Sequence, residues 1–94
     1  MNFADRDGVI WFDGEMVPWK DAKVHVLTHT LHYGMGVFEG VRAYQTENQS
    51  SCIFRLHDHT KRLFRSAHIM NMEIPFTEQE INQAQCAAVR ENKL

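Results

Sequence analysis

The stretch LHYGMGVFEGVRAY, Leu31 to Tyr44, carries Gly34, Gly36 and Gly40, with Arg42 two residues beyond the last. Glycine-rich runs cradle phosphates when they join a strand directly to a helix N-terminus, where free amides converge. Here the glycines precede or interrupt a segment of strand character, and the third comes one residue too late for G-x-G-x-x-G. That excludes a nucleotide loop. Strand alternation suggests other chemistry. Val37, Glu39, Val41 and Ala43 share one face, and Phe38, Gly40, Arg42 and Tyr44 share the other. On the second face, a gap at glycine lies between an aromatic ring and a planar cation. Such a wall suits a small ligand that is partly apolar and partly anionic. The competing reading is a solvent face with a bulge at Gly40.

A second group of residues points to an anion. Lys61, Arg62 and Arg65 crowd the first half of a predicted helix over Asp58 to Asn71. Cations are favoured near the opposite end of a helix, and Asp58 offsets only part of the cost. A bound anion would offset the rest, because an arginine fork grips phosphate through two parallel hydrogen bonds. The alternative is a solvated charged face. Other chemistries find less support. The six histidines include the pairs His25/His29, His29/His32 and His57/His59, but no cysteine or carboxylate joins them in a metal-ligand pattern. No metal site is expected. Ser50, Ser51 and Ser66 have no nucleophile-elbow context.

The elements that must position these residues follow from local pattern. Asp13-Gly14 between VIWF and EMVP predicts a tight hairpin. Thr28 is placed to start a helical turn over His29 to Tyr33, which Gly34 would end. A second hairpin pairs Val37–Tyr44 with Ser51–Leu56 across the polar turn QTENQS. In the helix that follows, Leu63, Ala67 and Met70 share one face, with Phe64 beside them. Thr77 and Glu80 form a capping box for a second helix, whose buried stripe is Ile81, Ala84 and Ala88. The fold class is α+β, an antiparallel sheet built from two hairpins followed by two helices. The last helix runs nearly to Leu94 with no strand after it, so the 94 residues are expected to be part of a longer protein.

Composition narrows the class. The net charge of −2 leaves no electrostatic footprint for nucleic acid or an anionic membrane. No apolar run approaches a membrane span, and the start MNFADRDGVI lacks the basic and apolar regions of a signal peptide. Cys52 and Cys86 make no disulfide framework; they read as small core residues in a reducing, cytoplasmic compartment.

HYGMGVFEGVR (His32 to Arg42) followed by IFRLHDHTKRLFRSA (Ile53 to Ala67) resembles the N-terminal small domain of branched-chain amino acid aminotransferases. These are pyridoxal-phosphate enzymes of fold type IV. VIWFDGEMVPWKDAKVHVLTHTLHYG resembles the start of the same family, so the likeness covers nearly the whole chain. Related D-amino acid aminotransferases and aminodeoxychorismate lyases carry a form closer to G-D-G-x-F-E. The resemblance implies a homodimer with its active site between a small and a large domain, and residues 1–94 as an incomplete small domain. It implies that Arg62 binds the cofactor phosphate and that Phe38 and Gly40 line the pocket for an aliphatic side chain. Tyr33 would contribute to the partner subunit's pocket, with Arg42 close by. The implied reaction moves an amino group between leucine, isoleucine or valine and 2-oxoglutarate. The lysine that holds the cofactor and acts as general base belongs to the large domain. Lys20, Lys23, Lys61 and Lys93 do not match it, so no residue here is assigned a catalytic role and the segment alone should be inactive. The other readings are a non-catalytic dimerisation or interaction domain of the same fold, and a related fold type IV enzyme, a D-amino acid aminotransferase or an aminodeoxychorismate lyase.

Overall fold

Asp13 and Gly14 both adopt positive φ, +51° and +98°, and close the first hairpin. It pairs β1 (Val9–Phe12) with β2 (Glu15–Pro18) in antiparallel register, Phe12 opposite Glu15 and Val9 opposite Pro18. These elements belong to a computed structural model that describes residues 5–48 and 50–94; residues 1–4 and Gln49, which falls in the expected second turn, lie outside the described residues. A short 3-10 turn over Trp19–Asp21 follows Pro18. Helix α1 spans His29–Tyr33. Gly34 ends it in the left-handed conformation at φ +65°, and its N–H donates to the Thr30 carbonyl. Thr28 stands at the expected N-cap position, but its hydroxyl donates to the His25 carbonyl at 2.6 Å and makes no cap bond.

The second hairpin is shorter than its sequence suggests. Strands β3 (Ala43–Gln45) and β4 (Ser51–Ile53) pair antiparallel, with Ala43 opposite Ile53. Each hairpin is its own two-stranded sheet. The expected strand over Val37–Tyr44 is therefore corrected: residues 34–42 carry no regular secondary structure. Register explains this. Continuing the pairing would set residue 40 opposite Leu56, and Leu56 already begins helix α2 (Leu56–Ile69). The ladder ends where the Phe54 N–H donates to the Arg42 carbonyl at 3.1 Å.

Helix α3 (Glu78–Glu91) starts at the predicted capping box. The Glu80 N–H donates to the Thr77 hydroxyl, and the Thr77 N–H donates to the Glu80 carboxylate, both at 3.1 Å. α3 is the hub that packs against both α2 and β1. Ala67 of α2 and Ala84 of α3 are buried, together with Thr60. The Thr60 hydroxyl donates to Asn82 Oδ1 and accepts from Gln85 Nε2 at 3.2 Å, so the buried polar group is satisfied across the helix pair. Trp11 meets Phe76 edge-on at 5.0 Å. Asn92 joins the two ends of the described chain. Its Oδ1 accepts from the Val9 N–H at 2.9 Å, and its Nδ2 donates to the Val9 and Ala88 carbonyls at 2.9 and 2.8 Å.

Several expected core positions are corrected: of the α3 stripe Ala84 is buried, but Ile81 and Ala88 are only half-buried. Met70, expected on one helix face with Leu63 and Ala67, stands just past the end of α2 and is exposed. Cys52 is exposed and Cys86 half-buried, both as free thiols rather than core residues. The reason is a small interior. The chain presents 7966 Å² of accessible surface, where a compact monomer of this size presents about 5,600 Å². Large apolar side chains are part of that surface, with Val24, Val26, Leu27, Leu31, Met35 and Phe38 all exposed. Among the described residues, no helix is long and apolar enough to cross a membrane.

Candidate functional site

Residues 37–42 keep the alternation of a strand without its ladder. Val37, Glu39 and Val41 are half-buried, while Phe38, Gly40 and Arg42 are exposed. The two faces read from the sequence are thus present, although no neighbouring strand enforces them. Phe38 is 88% exposed, and a Cβ built on Gly40 would meet only open space. Gly36 is different, because a Cβ there would come within 2.9 Å of the Thr30 hydroxyl. The loop therefore folds tightly onto α1, and the Thr30 hydroxyl donates to the Met35 carbonyl.

The inward-facing member of the segment is the chemically active one. Glu39 has a side chain only 10% exposed, and three donors converge on it. Arg62 donates from Nε to Oε2 and from Nη2 to Oε1, each at 2.7 Å. His59 donates from Nδ1 to Oε1, also at 2.7 Å. These bonds favour the carboxylate over the acid. The Arg62 fork, and secondarily the His59 bond, hold the Glu39 carboxyl at about 2, well below its ordinary 4.5. The same fork pushes the Arg62 pKa up.

Arg62 is held by this ion pair and not by the helix end. α2 begins at Leu56, two residues earlier than the sequence pattern suggests, which moves Lys61, Arg62 and Arg65 beyond its first turn. The dipole of a helix acts within its first and last turns, so the misplaced-charge argument for an anion fails. Asp58 is engaged elsewhere, accepting from Arg55 Nε at 2.8 Å. What survives is stereochemical. A guanidinium carries five N–H groups in one plane. Glu39 takes two, and the remaining three lie on a side chain that is 66% exposed. A planar, permanently cationic edge of this kind fits a phosphate.

The other expected site residues occupy the same stretch of chain. Arg42 closes the segment, exposed at the mouth of the β3–β4 hairpin. Tyr33 ends α1 and is 72% exposed, with its ring edge-on to His29 at 5.7 Å. His32 donates from Nε2 to the Val26 carbonyl at 2.6 Å, which ties α1 to the apolar loop before it. Glu39 and His59 were missed in the sequence. The one available signal was the spacing of His59 and Arg62, three apart and so on one face of α2. Among the described residues, no three His, Cys, Asp or Glu side chains gather as a metal cluster.

The amino-transferase class IV model matches residues 36–94, and the chain belongs to that family. It is 71% identical, over all 94 residues, to the branched-chain-amino-acid aminotransferase of Pseudomonas aeruginosa, and covers 30% of that protein. It is 45% identical over 85 residues to the enzyme of the same name from Escherichia coli K12, covering 27% of it. Among solved structures, it matches the T.th. branched-chain amino acid aminotransferase complexed with N-(5'-phosphopyridoxyl)-L-glutamate. The TM-score is 0.89 at 48% identity, over 94% of this chain and 29% of that one. The Escherichia coli structure matches with a TM-score of 0.90 at 43% identity, over 95% of this chain and 29% of that one. The fold is thus that of the N-terminal part of the fold type IV branched-chain aminotransferases. The chain spans about 30% of the length of the curated relatives it matches.

Proposed function

We propose that residues 1–94 form an incomplete small domain of a pyridoxal-phosphate-dependent branched-chain aminotransferase. The observation that carries this reading is the Arg62 guanidinium, fixed by Glu39 with three donors left over on an exposed side chain. The donor set fits the cofactor phosphate, since a planar cation grips phosphate oxygens in pairs. When bound, pyridoxal phosphate supplies the electron sink that makes amino transfer at the substrate α-carbon feasible.

The chain's own residues bind and orient. Arg62 holds the phosphate. Phe38 offers an apolar face to an aliphatic side chain, and Gly40 leaves room for its branches. Arg42 lies at the far end of the same segment and helps order the anionic end of the ligand. Tyr33, exposed at the end of α1, extends toward the pocket of a partner subunit. The substrates are leucine, isoleucine or valine with 2-oxoglutarate, and the assembly is a homodimer. The free thiols Cys52 and Cys86 support a cytoplasmic location. The general base lies outside these residues, and Lys20, Lys23, Lys61 and Lys93 take no part in it.

The test is a graft. Residues 1–94 replace the matching 94 residues of the Pseudomonas aeruginosa relative, and amino transfer from leucine to 2-oxoglutarate is assayed. The graft should be active. Arg62→Ala in the graft should weaken pyridoxal phosphate binding by at least tenfold, and an unchanged affinity would remove Arg62 from the site.

A further inference from the structure

Residues 34–42 form no ladder, yet they carry Phe38 and Gly40. One carboxylate joins this segment to α2. Glu39 lies between Phe38 and Gly40 in the chain, and it is the side chain that turns inward to meet Arg62 and His59. The fork uses the Nε and Nη2 edge of the guanidinium. The donors left over, both on Nη1 and the second on Nη2, point away from Glu39. His59 occupies Oε1 from one turn earlier on α2, so the carboxylate itself is held from two positions on the helix.

We propose that Glu39 is a positioning residue for phosphate capture: it fixes the plane of the Arg62 guanidinium so that three N–H groups face the anion. The inference rests on the reading that Arg62 holds the cofactor phosphate. Charge alone argues the other way. A carboxylate beside a phosphate site repels the anion, so a Glu39 that merely neutralised Arg62 would weaken binding by its presence. The two roles therefore predict opposite signs when the charge is removed. Glutamine can accept one bond from Arg62, but its amide N–H groups face the second donor and the fork is broken.

The experiment titrates the grafted apoenzyme with pyridoxal phosphate and with pyridoxal, which lacks the phosphate, and reads bound cofactor by absorbance and protein fluorescence. Glu39→Gln should weaken pyridoxal phosphate binding about tenfold and leave pyridoxal binding within about twofold. In an Arg62→Ala background, Glu39→Gln should cause no further loss of pyridoxal phosphate affinity, because only the repulsion between carboxylate and phosphate is left for it to remove. Tighter or unchanged pyridoxal phosphate binding by Glu39→Gln overturns the proposal, and so does an equal loss for both ligands, which marks a general structural role. Loss of affinity in Arg62→Ala without loss in Glu39→Gln overturns this inference alone. Full affinity in Arg62→Ala overturns the underlying reading and this inference with it. If Glu39→Gln does not assemble, Glu39→Asp keeps the charge but, one methylene shorter, draws the carboxylate back from the Arg62 guanidinium and loosens the fork. The same phosphate-selective loss is then expected, and an unchanged ratio overturns the proposal.

Discussion

Glu39 and Arg62, 23 residues apart in the chain, meet as a two-point fork with both N···O distances at 2.7 Å. The pair joins a segment without a ladder to the middle of a helix. Its pH dependence follows from the lowered carboxyl. Glu39 stands near 4.5 when unpaired and at about 2 when held by Arg62 and His59. Its contribution is therefore complete above pH 4.5 and is lost as the pH falls through about 2. A carbon-13 titration of the Glu39 carboxyl should show its midpoint near 2. A midpoint at the ordinary value would mean that the fork does not persist in solution.

The wall of the proposed pocket is tested by filling its gap. A Cβ at Gly40 meets open space, so Gly40→Val should fold with an unchanged melting temperature. The added methyls should lower kcat/KM for leucine in the grafted enzyme by about tenfold or more, the range for one or two misplaced carbons in an apolar pocket. Equal activity would place the substrate elsewhere.

Phe38 makes the complementary case. It is almost fully exposed, so Phe38→Ala costs little stability. It should shift the ratio of kcat/KM values for leucine and valine by about fivefold or more, because a lost apolar contact weighs on the larger side chain most. Identical ratios would count against the assignment.

Thr60 carries the buried polar link between α2 and α3. Thr60→Val strips partners from Asn82 and Gln85 and should destabilise the grafted apoenzyme by about 1–3 kcal/mol. Thr60→Ser should recover most of this, because it keeps the hydroxyl. A valine variant that melts with the parent would show that the bridge contributes nothing.

The isolated 94-residue chain should self-associate on size-exclusion chromatography, since its accessible surface exceeds that of a compact monomer of this size and includes many large apolar side chains. It should also show no amino transfer with added pyridoxal phosphate. A monomer with one sharp melting transition would contradict the first expectation.

The sequence by itself determined what depends on neighbouring residues. Asp13-Gly14 closes a hairpin because the turn needs positive φ at both residues, and Thr77 with Glu80 caps α3 because three residues separate an N-cap from its partner amide. The alternation of Phe38, Gly40 and Arg42 against Val37, Glu39 and Val41 was legible for the same reason, since it is built into an extended backbone. Tertiary structure alone decided the rest. Whether residues 37–42 gain a strand partner depends on where α2 begins, and the register of β3 and β4 runs into that helix. Whether a cation on α2 is solvated or braced depends on which carboxylate arrives from elsewhere in the chain, and the answer was Glu39. Contacts of that range are set by packing, which no local spacing encodes.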